Sequence, residues 1–120
     1  MSMNKTTEEM NFRFSSSLLE LDVNNRPGVM SLVVGLFSRR AYNLEGILCL
    51  PVTSKTSPAQ KISRIWLFLN EDTRLDQIVR QLEKLEDVIC VRHHMEEPAT
   101  FKHLGHLFEE MQVAWGQNPL

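Results

Sequence analysis

The stretch that most restricts the fold runs from Leu18 to Val52, where the spacing of the apolar residues changes twice. Leu19, Leu21 and Val23 alternate with Glu20 and Asp22, the period-two pattern of a half-buried strand. Asn24-Asn25-Arg26-Pro27-Gly28 then breaks the alternation. Asn tolerates unusual backbone angles, Pro27 suits the first turn of a helix, and Gly28 admits a close approach to the backbone. Val29, Leu32, Val33, Leu36 and Phe37 follow at spacings of three and four and predict one apolar face of a helix ending near Ala41. Gly35 inside that helix costs about 1 kcal/mol relative to Ala, so a close packing contact is expected there. After Asn43 a second apolar strand, Leu44 to Val52, is predicted.

The chemistry of this unit lies at the start of its helix. First-turn N–H groups have no partner within a helix and carry part of the positive end of its dipole, so they can receive a carboxylate. If Pro27 occupies the first turn, one of those donors is missing. Asn25 and Asn43 offer a donor and an acceptor each, able to hold a carboxylate or an ammonium group without adding charge. The same residues also fit a plain helix cap at Asn25 and a turn at Asn43.

The remaining chain supplies one more copy of the pattern. Ile62 to Asn70 alternates, with Ile65, Leu67 and Leu69 facing the helices and Arg64, Trp66 and Phe68 on the opposite face, after an exposed hairpin loop over 53–61. If both helices cover one side, Trp66 and Phe68 form an open aromatic pair, or a terminal segment folds over them. Asp72 or Thr73 can cap a second helix through Leu75, Ile78, Val79, Leu82 and Leu85, and Val88 to Met95 is a fourth strand closed by Glu96-Glu97-Pro98. The order βαββαβ predicts an α+β, ferredoxin-like domain over 17–95: an antiparallel four-stranded sheet with two helices on one face. Residues 1–16 read as a flexible tail. Within 96–120, Phe101, Leu104, Phe108, Met111 and Trp115 recur at three and four and predict a C-terminal amphipathic helix whose apolar stripe needs a cover.

Composition narrows the function. A net charge of -2 and scattered basic residues argue against nucleic acid, and the Arg64, Trp66, Phe68 strand lacks the basic setting of an RNA-stacking sheet. No apolar run reaches the roughly 18 residues of a membrane span, and no signal-peptide core is present, which predicts no membrane partner and a cytoplasmic chain. Cys49 and Cys90 read as buried thiols in strands. His93-His94 point to opposite faces, and His103 with His106 lacks a third ligand, so no metal site is expected. No nucleophile, base and orienting acid stand at catalytic spacing, so no catalytic residue is assigned.

Asn25-Arg26-Pro27-Gly28-Val29-Met30, Gly35 through Asn43, Glu45-Gly46-Ile47-Leu48-Cys49-Leu50-Pro51, Arg64-Ile65-Trp66-Leu67 and Glu83 through Val88, read jointly, resemble the regulatory small subunits of acetolactate synthase (acetohydroxy acid synthase), in the short isozyme I form. The resemblance implies an ACT domain that pairs with a second copy through its sheet edge and binds valine near the dimer interface. It carries Asn25, Gly28 and Asn43 over as ligand-binding residues. With them Pro27, Val29, Leu44 and Ile47 are expected to line the valine site. Arg64, Trp66, Phe68, Phe101 and Phe108 are candidates for a partner interface. The implied partner is the catalytic large subunit, which by resemblance carries thiamine diphosphate, magnesium and FAD, while this chain carries no cofactor. The implied role is activation of that subunit and feedback inhibition by valine in branched-chain amino acid biosynthesis. The alternative is an ACT sensor of another amino acid controlling a different enzyme.

Overall fold

The computed structural model describes residues 17–95 and 99–117; the tail 1–16 and the Glu96-Glu97-Pro98 strand stop fall outside them. Seven elements follow one another: β1 (Ser17–Asn24), α1 (Val29–Ser38), β2 (Leu44–Val52), β3 (Ile62–Leu69), α2 (Leu75–Glu83), β4 (Val88–His94) and α3 (Ala99–Gln117). The sheet is four-stranded in the order β2-β3-β1-β4, and every neighbouring pair is antiparallel. It is the ferredoxin-like arrangement that the βαββαβ pattern predicts. Since β3 runs against both β1 and β2, the latter two point the same way, and β2 and β4 form the sheet's edges.

The helix-side face of the sheet builds the core. Leu19, Leu21 and Val23 of β1 and Ile65, Leu67 and Leu69 of β3 pack with Val29, Val33, Leu36 and Phe37 of α1 and Leu75, Ile78 and Leu82 of α2. Leu32, expected on the same stripe, is 48% exposed, because α1 turns it away from the sheet. The expected tight contact at Gly35 is also absent within the chain: a Cβ there meets only Arg39 Nη1, at an ordinary 3.6 Å.

Helix α1 stops at Ser38, three residues before the predicted end. Ala41 takes φ 52°, Ala41 N–H donates to Ser38 O at 3.1 Å, and Tyr42 N–H donates to Phe37 O at 2.9 Å, the paired bonds of a Schellman closure. That closure turns Tyr42 into the core against Phe37, edge to face at 5.7 Å, and leaves Asn43 exposed outside. At α2, Asp72 accepts the Arg74 N–H through its side chain at 2.9 Å, one residue before the helix begins.

β1 through β4 with α1 and α2 form one compact unit, and α3 belongs to another. Within α3, Phe101 is buried, whereas Leu107, Val113 and Trp115 are exposed. Among the described residues no helix is long and apolar enough to cross a membrane.

Candidate functional site

The turn between β1 and α1 is tied down from two sides. Asn24 N–H donates to Asp87 O at 2.8 Å and its Nδ2 to Asp87 Oδ1 at 3.1 Å, while Asn25 N–H donates to Lys61 O at 3.0 Å. Arg26 adds an ion pair to Asp87 at 3.5 Å. Gly28 then takes φ 88° as the N-cap of α1, a left-handed conformation that glycine adopts without Cβ strain. Pro27 lies before this cap, outside the helix, so it removes none of the helix's own donors.

Val29 N–H turns back to Arg26 O at 3.3 Å, and Leu32 N–H closes on Gly28 O at 3.1 Å. Between them the N–H groups of Met30 and Ser31 take no acceptor among the described residues. Asn25 does not cap the helix: its side chain is exposed and bonds no N–H group of α1 among the described residues. These are the donors that a carboxylate can use.

Beneath the turn lies a cavity of about 90 Å³ lined by Val23, Asn24, Asn25, Arg26, Val29, Met30, Cys49, Ser63 and Ile65. Drug-sized sites run to roughly 300–1,000 Å³, so this one suits a short aliphatic group. Of the apolar residues expected around a ligand, only Val29 lines it. Leu44 packs against the core and Ile47 stands 45% exposed on β2. Met30, Cys49 and Ser63 were missing from the expectation. Cys49 and Ser63 reach the cavity from neighbouring strands, a placement set by register and invisible in the order of residues. Cys49 is also exposed, contrary to the buried thiol predicted, because β2 is an edge; Cys90 is half-buried, with Arg92 Nη1 at 3.1 Å from its sulfur.

Asn43 lies at the opposite end of α1. Ten residues of helix separate it from the Asn25 turn, about 15 Å along the axis. One chain therefore does not bring Asn25 and Asn43 together around a small ligand. At its own end Asn43 Nδ2 donates to Glu45 Oε1 at 3.3 Å, and Asn70 Nδ2 donates to the same oxygen at 3.3 Å.

The opposite face of the sheet carries an ion network. Arg64 Nε donates to Asp22 Oδ1 at 2.7 Å, Arg92 Nη2 to Asp22 Oδ2 at 3.0 Å, and Arg92 Nε to Glu20 Oε2 at 2.8 Å. Burial alone raises the Asp22 pKa, but the bonds from Arg64 and Arg92 outweigh it and hold the carboxyl below 3.8. Of the interface candidates, Arg64 belongs to this network, Trp66 is half-buried, and Phe68 is only 4% exposed. Of the two arrangements weighed for this face, the open aromatic pair is not the one present, since Phe68 is buried. In the separate α3 unit, Phe108 lines an apolar groove with Met111, Gln112 and Trp115. Among the described residues no cluster of metal-ligating side chains occurs.

Residues 19–90 match the family model described as an AHAS small subunit-like ACT domain. The chain is 47% identical over 92 residues to the acetolactate synthase isozyme 1 small subunit of Escherichia coli K12, an alignment covering 77% of this chain and 91% of that protein. It is 43% identical over 81 residues to a probable acetolactate synthase small subunit of Methanothermobacter thermautotrophicus, covering 67% of this chain and 45% of the relative. Among solved structures, the acetolactate synthase small subunit of Thermotoga maritima superposes with a TM-score of 0.50 at 33% identity, over 64% of this chain and 45% of that one. With residues 19–90 matched by the family model, and nearly the whole of a short relative spanned, the chain belongs to the acetolactate synthase small subunits, built on an ACT domain.

Proposed function

We propose that this chain docks on the catalytic large subunit of acetolactate synthase, raises its activity and imposes feedback inhibition by valine. The partner would carry the thiamine diphosphate, magnesium and FAD of the reaction, which joins two 2-oxo acids on the way to branched-chain amino acids in the cytoplasm. The observation that carries the reading is the start of α1, where the N–H groups of Met30 and Ser31, without an acceptor among the described residues, meet the exposed Asn25 and a small cavity beside Val29.

Valine's carboxylate takes the N–H groups of the first turn, and its isopropyl group enters the cavity. The ammonium group needs the Asn43 end of α1, which lies too far away in the same chain. A second copy supplies it. β2 is an unpaired edge bearing exposed Ile47 and Leu50, and two β2 strands joined antiparallel set the Leu44 end of one beside the Val52 end of the other. Val52 and Asn24 are both level with Ile62 of β3, so this pairing brings the Asn25 turn of one copy to the level of Asn43 of the other. The homodimer then has two equivalent sites.

Inhibition requires that valine prefer one arrangement of the assembly, since equal binding to two states shifts neither. Asn25→Ala and Asn43→Ala should each abolish valine sensitivity in the complex with the catalytic subunit while leaving its activation intact, read by acetolactate formation with and without valine. Full inhibition in both variants would overturn the site.

A further inference from the structure

We propose that the Glu45 carboxylate receives the ammonium group of the amino-acid effector, and so makes the site reject the 2-oxo acid with the same carbon skeleton. This inference rests on the amino-acid reading above. Its starting point is a break in the pairing of β2 with β3. Leu44 stands opposite Leu69 and Gly46 opposite Phe68, so Glu45 between them has no partner across the ladder. An extra residue of this kind leaves the strict alternation and re-aims its side chain. Gly46 makes the bulge feasible, since a Cβ at that position would stand 3.2 Å from Phe68 Cδ2.

The bulge seats Glu45 among amides. Its Oε1 accepts from Asn43 Nδ2 and from Asn70 Nδ2, both at 3.3 Å. Neither amide carries charge. Among the described residues no Lys, Arg or His forms an ion pair with Glu45, although Glu20, Asp22, Asp72 and Asp87 each have an arginine. Glu45 is thus an exposed carboxylate held by two amides, two residues from Asn43, with no cation paired to it among the described residues.

An amino acid carries two charges. The start of α1 answers the carboxylate, whereas Asn43 offers the ammonium only a neutral dipole. Glu45 supplies the missing counter-charge and accepts one of the ammonium protons. A 2-oxo acid presents the same carboxylate and side chain, but its carbonyl oxygen would face Glu45 as acceptor against acceptor. The distinction matters beside an enzyme whose substrates are themselves 2-oxo acids.

The full chain, alone and in complex with the catalytic subunit, is titrated calorimetrically with L-valine and with 3-methyl-2-oxobutanoate. In the native chain valine saturates and the oxo acid does not bind. Glu45→Gln keeps an acceptor for both amides, so the fold holds, as its melting temperature checks. Its affinity for valine should fall by about tenfold or more, with most of the preference over the oxo acid lost. Glu45→Asp, shorter but still charged, should recover part of that preference. If native chain binds valine and Glu45→Gln binds it as tightly while still excluding the oxo acid, the role of Glu45 is overturned and the amino-acid reading stands. If the native chain binds no valine in either form, the amino-acid reading falls and takes this inference with it.

Discussion

Asp22 sits between two guanidinium groups, and its pKa turns that geometry into a stability term. The folded value lies below 3.8, so the contribution is fully present above the unfolded value and is lost as pH falls through the folded one. Asp22→Asn should lower stability at neutral pH by about 1 to 3 kcal/mol, towards the lower end because Arg64 and Arg92 are about one-third exposed. Urea unfolding of both proteins at about pH 7 and about pH 2.5 checks it: the gap should narrow in acid. Asp72, held at about 2 by hydrogen bonds from Arg74, titrates in the same acid range, and comparing the variant with its parent cancels that background. Strand alternation alone puts Glu20, Asp22 and Arg64 on one face. Arg92 joins them only through the pairing of β1 with β4, where Glu20 stands opposite Arg92. Glu45 was less visible still. In the sequence it is one more charged residue of an edge strand, and nothing in a period-two pattern announces a bulge.

At the scale of elements, helix α1 was readable in its start, its apolar stripe and its connection to β2. Its surroundings were not. A stripe of apolar residues says which side of a helix is greasy, but the width of the sheet beneath decides how much of it is covered, and Leu32 falls beyond that cover. The same limit applies to Cys49, whose strand is an edge in space although nothing in its residues marks it as one. Gly35 is the more instructive case. A glycine in mid-helix weakens it by about 1 kcal/mol, yet the chain itself has room there for a methyl group. A contact from the second copy of the proposed dimer is the reason for glycine that we propose here. Gly35→Ala should therefore stabilise the isolated fold by about 0.5–1 kcal/mol and at the same time weaken self-association. Thermal unfolding and sedimentation on one sample read the two effects. A stabilised variant that still dimerises as well as its parent would remove this flank of α1 from the interface.

For the molecule as a whole, α1 acts as a ruler. Its two ends stand about 15 Å apart, and in the proposed dimer each holds half of what a small zwitterion needs. The consequence is genetic. A site whose halves lie on separate chains allows two damaged alleles to repair one another. In the proposed dimer, chains carrying Asn25→Ala and chains carrying Asn43→Ala each pair into dimers with no intact site. Mixed together, they form heterodimers in which one of the two sites combines an unaltered Asn25 turn from one parent with an unaltered Asn43 end from the other. Co-expressing the two variants should restore valine binding at about half a site per heterodimer chain, and refolding them separately before mixing without exchange should restore none. Two alleles that each abolish feedback would then, in one cell, bring part of it back.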